Sequence, residues 1–176
     1  MGSEMCIRDS KPATLFVADF IGSPSMNFLN FEGHVVAGHN SVNLGSTAFA
    51  VPQQLESSSG SLVLGVRPEH IALSDNAPLR AQVLAVEYLG TTQIVLLQSD
   101  YGNLKARVDS SLSVAVGDQV GVTLNADTIT LFNKESGNAI RSVLNEVALS
   151  NSGIVNSAVE HSAIDDGANG GERYHG

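Results

Sequence analysis

The feature that most limits what this chain can fold into is its two-residue hydrophobic period. Leu62, Leu64 and Val66 alternate, and Leu104, Ala106 and Val108 alternate with Asn103, Lys105 and Arg107. Val120, Val122 and Leu124 repeat the pattern, and Phe31, Gly33, Val35 and Ala37 alternate with Glu32, His34 and a less polar Val36. A period of two puts one face of a strand inward and the other outward, so these segments build a small barrel or sandwich rather than a helical bundle. Residues 79–89 read as a long strand whose polar positions change phase near Leu84, which predicts a bulge. Residues 91–98, TTQIVLLQ, read as a strand buried throughout its middle. Residues 52–61 are a polar loop, Pro68 stops a ladder, and Asn125–Asp127 turn the chain into Ile129 and Leu131. About eight strands and no long helix make the region mainly β.

The flanks differ in character. Residues 1–10 show no periodicity. Residues 11–22, KPATLFVADFIG, place Pro12 at a helix start and Ala13, Phe16, Val17, Phe20 and Ile21 on one helical face, with Gly22 and Pro24 as stops. So short a helix needs an apolar partner surface, on this chain's own barrel or upstream of it. From residue 142 onward the chain is rich in Gly, Ser, Asn, Ala and acids, so 142–176 is expected to be disordered beyond a frayed helical turn or two.

Nine Lys and Arg against 18 Asp and Glu, a net charge of -9, argue against a nucleic-acid groove and a polybasic membrane surface. With no Trp and three Tyr, the aromatic platform of a single-strand binder is also lacking. One cysteine, Cys6, excludes an internal disulfide and a thiolate zinc site. No apolar run approaches the roughly 20 residues of a membrane span, and no basic, apolar and small-residue leader begins the chain. A soluble protein of a reducing compartment is the expectation. No Gly precedes a Lys, so a phosphate-cradling P-loop is absent, as are GxSxG, HExxH and GxGxxG segments. His34 and His39 read as solvated turn residues, and Asp100 and Asp109 as the flanks of a hairpin strand. His161 and His175 lie in the tail. Catalytic and metal-ligating residues are therefore expected to be none.

Two segments carry specific information: FIGSPSMNFL, residues 20–29, and LGVRPEHIALSD, residues 64–75. With KPATLFVADF before them, VEYLGTTQIVLL at 86–97 and VAVGDQVGVTLNADTITLFN at 114–133, they resemble the ATP-binding subunits of carbohydrate-type ABC importers. These are relatives of the maltose and glycerol-3-phosphate importers. The resemblance covers about residues 11–141 and implies the C-terminal regulatory module of such a subunit, a transport-associated OB (TOBE) β-barrel over 28–141. It implies that 11–27 are the last helix and linker of an ATPase domain. Phe16, Val17, Phe20 and Ile21 would then dock on that domain, and 1–10 would be foreign to the family. The nucleotide-binding motifs of the family are not in this sequence, so ATP and Mg would belong to the parent subunit, and the chain is expected to be a non-catalytic fragment.

The resemblance also implies partners: the ATPase core and membrane subunits, a second copy of the module, and a regulatory protein. The place would be the cytoplasmic face of the bacterial plasma membrane. Arg67, Glu69 and His70 form either a turn locked by charged hydrogen bonds or an interface patch. Gly22, Pro24, Met26, Asn27 and Phe28 form either a plain linker or an element relating barrel position to ATPase position. The alternative function is an oxyanion-binding barrel of the molybdate type, with Thr91, Thr92, Ser110 and Ser111 as donors.

Overall fold

The computed structural model describes residues 14 and 24–146. Among these, the chain forms ten strands: β1 Asn27–Val35, β2 Ser41–Leu44, β3 Thr47–Ala50, β4 Ser58–Val66, β5 Ile71–Leu73, β6 Leu79–Tyr88, β7 Thr92–Ser99, β8 Gly102–Asp109, β9 Gln119–Leu124 and β10 Thr130–Asn133. They pair antiparallel as a three-stranded sheet (β1-β4-β10), a five-stranded sheet (β5-β9-β6-β7-β8) and the hairpin β2-β3. One apolar core runs through all of them, with Leu29, Leu44, Leu62, Leu64, Val95, Leu97, Leu104, Ala106 and Val122 removed from solvent. The alternation in the sequence is the inward half of this core, and the mainly β reading holds.

The departures from the sequence reading have local causes. β4 starts at Ser58, inside the expected loop, because Ser58, Ser59 and Gly60 pair through main chain with Val35, His34 and Gly33. Such pairing needs no apolar side chains. β4 is also buried on both faces: Val63 points away from the main core into a second cluster with Met26 and Phe132. β7 is not buried throughout. Gln93, Val95 and Leu97 are buried while Ile94 and Leu96 are half-buried. Ile94 and Leu96 face outward in register with Arg107 and Lys105, as expected where one face of an antiparallel sheet meets water. The bulge in β6 is present: the register shifts between Val83 and Ala85, leaving Leu84 as the extra residue.

The two larger sheets are joined by a side chain acting as backbone. The amide of Asn27 donates to Lys105 O at 2.9 Å and accepts from Lys105 N at 2.7 Å, reproducing a β-pair between β1 and β8. Asn30 N donates to Tyr101 O at 3.2 Å nearby. The Tyr101 hydroxyl then reaches Leu44 O at 2.8 Å and holds the hairpin against the barrel. Gly45 makes that approach possible. Its φ is 60°, and a Cβ there would lie 2.5 Å from the Tyr101 oxygen.

The packed body continues past Arg141, where composition placed the tail. Leu55 N donates to Arg141 O at 2.7 Å and Val143 N to Gln53 O at 2.9 Å, adding the segment alongside 53–55. Residues 143–146 are helical. Ser142 and Asn145 are buried, and Asn145 Oδ1 accepts from Ser142 N at 2.7 Å, as in a capping box. Of the segment read as an N-terminal helix only Thr14 is described, and it makes an antiparallel bridge to Asn138. A strand edge offers main-chain partners that an isolated short helix must supply itself at the cost of nucleation. The rest of that reading, Phe16, Val17, Phe20 and Ile21 included, lies outside the described residues, as do residues 1–10 and the tail from 147 onward.

Candidate functional site

The residue before a proline is driven to extended backbone, and Arg67 has φ -79° and ψ 148°. Pro68 then opens a single 3-10 turn, Pro68–His70, closed by His70 N donating to Arg67 O at 3.0 Å and Ile71 N to Pro68 O. These two main-chain hydrogen bonds close the turn. A second 3-10 turn, Ala126–Thr128, is seated beside it. Asn125 N donates to His70 O at 3.0 Å, Asn125 Oδ1 accepts from Asp127 N at 3.2 Å, and the Thr128 hydroxyl donates to Asn125 O at 2.8 Å. The two turns face across a cleft of about 470 Å³ lined by Met26, Arg67, Glu69, His70, Asp127, Thr128 and Leu144.

The structure therefore brings Met26 of one sequence motif to Arg67, Glu69 and His70 of the other. Glu69 is exposed, Arg67 and His70 are half-buried, and Met26 closes the floor. The cleft carries a guanidinium, an imidazole and two carboxylates around an apolar base. That mixture suits a protein surface bearing both signs of charge better than a free anion or a phosphate backbone. Among the described residues no group of three His, Cys, Asp or Glu side chains could hold a metal ion.

Other residues of the connector are not in the cleft. Asn27 is spent on Lys105, and the Phe28 ring meets Phe132 edge-on, centroids 6.2 Å apart at 77°. Pro24 is half-buried, and Gly22 lies outside the described residues. Sequence reasoning found the turn at Asn125–Asp127 but not that Asp127 and Thr128 would stand opposite Arg67. Leu144 falls in the stretch whose composition predicts a tail. The Asn-x-Asp-Thr spacing announces a side-chain-capped turn, but its neighbour is set by the pairing of β5 with β9, which no local pattern encodes.

The groups considered for an oxyanion lie together at one end of the β7–β8 ladder, where most are engaged with the chain's own atoms. Thr91 is exposed, and Thr92 Oγ1 accepts from Arg107 Nε at 3.4 Å. Ser111 donates to Asp109 Oδ1 from its hydroxyl at 2.5 Å and from its main-chain N at 2.8 Å. These two bonds, the hydroxyl's first, hold the Asp109 carboxyl below its ordinary range. An anion placed there would meet a carboxylate and a hydroxyl already donating. Ser110 N is spent on Thr91 O at 3.1 Å. His34 and His39 are exposed at and beyond the end of β1.

Comparison with known proteins agrees with this architecture. The MalK OB fold domain family matches residues 22–71, and the TOBE domain family matches residues 64–132. The sn-glycerol-3-phosphate import ATP-binding protein UgpC of Ruegeria pomeroyi is 34% identical over 132 residues, covering 74% of this chain and 36% of that protein. The multiple sugar-binding transport ATP-binding protein MsmK of Streptococcus mutans is 34% identical over 145 residues, covering 75% and 38%. The chain thus spans little more than a third of the length of these relatives. The cytoplasmic molybdate-binding protein ModG, solved with molybdate bound, matches with a TM-score of 0.46 at 14% identity, covering 60% of this chain and 94% of that one, too loosely to inform fold or ligand. Both family matches meet on the strand β4 and the turn that follows it, and this chain carries the MalK-type OB-fold and TOBE module of the ATP-binding subunits of carbohydrate-type ABC importers.

Proposed function

We propose that the chain serves as a non-catalytic regulatory and dimerisation module of an ATP-binding subunit that imports sugars or glycerol-3-phosphate-like solutes. In this reading ATP and Mg bind elsewhere in the subunit. The module works at the cytoplasmic face of the membrane beside the ATPase core and the membrane subunits, and it meets a second copy of itself and a regulator. The observation that carries the reading is the cleft at which Met26 and the Arg67–His70 turn meet Asp127 and Thr128. Main-chain bonds close the first turn and Asn125 caps the second, so the side chains of Glu69 and His70 have no part in closing either. Exposed charge on a rigid turn is suited to contact another protein surface.

The test is a graft of residues 24–146 into UgpC of Ruegeria pomeroyi in place of its matching region, reconstituted with its membrane subunits. The grafted subunit is expected to assemble and support ATP-driven uptake. Glu69→Ala with His70→Ala should then change the uptake-coupled ATPase rate without unfolding the module. A graft that folds but cannot assemble, or ATP hydrolysis by this chain alone, would overturn the proposal.

A further inference from the structure

A barrel has no free strand edge unless one is left open, and most edges here are sealed. β8 is closed against β1 through Asn27 and Lys105. Past β10, Phe132 bridges to Ala139 and Ile140 N donates to Leu131 O at 2.8 Å. β5 is only Ile71–Leu73 and is flanked by Glu69 and Asp75. The far edge of β3 is different: among the described residues β3 pairs with β2 alone.

The register shows which groups that edge presents. Val51 N donates to Asn40 O at 2.9 Å, so the positions alternating from it, Phe49 and Thr47, direct their main-chain groups to β2. Ala48 and Ala50 direct theirs outward. Both are exposed, while Phe49 is buried in the core. The edge also lacks the usual guards. No Asp, Glu, Lys or Arg occurs between Glu32 and Glu56, and no Pro before Pro52. In a chain of net charge -9 this uncharged stretch is where two copies repel least.

We infer that β3 is a self-pairing edge, on which β3 of a second copy adds antiparallel about a two-fold axis at Phe49. Ala48 of each copy then exchanges hydrogen bonds with Ala50 of the other, and their methyl groups leave room for the strands to meet. The contact is isologous, so it closes after two copies. This rests on the self-association in the function proposed above and assigns its surface.

The test is sedimentation equilibrium of the full chain, with amide exchange at Ala48 and Ala50. The dimer is expected to show concentration-dependent protection of those two amides. Ala48→Pro removes only an outward donor, so β2-β3 pairing should survive, and the dimer dissociation constant should rise roughly tenfold or more, since the axis counts each lost bond twice. Ala48→Lys, which keeps the donor and adds a guard charge, should weaken it as well. A dimer indifferent to both variants, with unprotected Ala48 and Ala50 amides, overturns the edge pairing but leaves self-association standing. A monomer at every concentration overturns both.

Discussion

The connector at 24–28 and the turn at 67–70 look alike in the sequence: each is short, punctuated by proline, and part of a recognisable motif. The fold treats them oppositely. In the connector, Asn27 replaces a backbone pair between β1 and β8, and Phe28 packs on Phe132. In the turn, the backbone satisfies itself and leaves Glu69 exposed and His70 half-buried at the cleft. A motif can therefore mark either a strut or an exposed turn, and the destination of its polar groups tells the two apart.

The largest effect is expected where the connector packs. Phe132→Ala empties a fully buried site against Met26, Val63 and Phe28 and should cost about 3–5 kcal/mol in denaturant unfolding. A smaller loss would mean that the second cluster is loosely packed. Next is Asn27→Ala, which strips Lys105 of both side-chain partners at the sheet junction and should cost about 2 kcal/mol. Asn27→Asp keeps the acceptor but sets a buried carboxylate oxygen against Lys105 O, so it should not recover that loss. In the turn, Glu69→Ala should move unfolding by less than about 0.5 kcal/mol. A loss as large as that of Asn27→Ala would abolish the contrast.

The smallest effect belongs to another exposed turn, Asp109–Ser111. Its carboxylate is held down by Ser111, so its contribution is present above the unfolded pKa and fades as pH falls through the lower folded one. An NMR titration should find the Asp109 midpoint below the usual carboxylate range, and Ser111→Ala should raise it.

The strands were legible wherever a strand had one wet face, as in β8 and β9, because the period of two is then written in side chains. They were illegible where main chain alone decides. Ser58–Gly60 pair with β1 without apolar content, and β2 holds only Val42 and Leu44 inward. Arg67, Glu69 and His70 stood out as a motif, yet Asp127, Thr128 and Leu144 did not, since their approach depends on β5 meeting β9 and on Val143 joining Gln53. Asn27 is conspicuous in the sequence only for its place in the connector. Its pairing with Lys105 spans 78 positions and leaves no local trace.

The division between strut and exposed turn is tested most directly by amide exchange at Lys105, followed in Asn27→Ala and in Glu69→Ala. Fast exchange in the first and unchanged exchange in the second are the predicted results. Equal acceleration in both, or in neither, would contradict the assignment of the sheet junction to Asn27 and of an exposed position to Glu69.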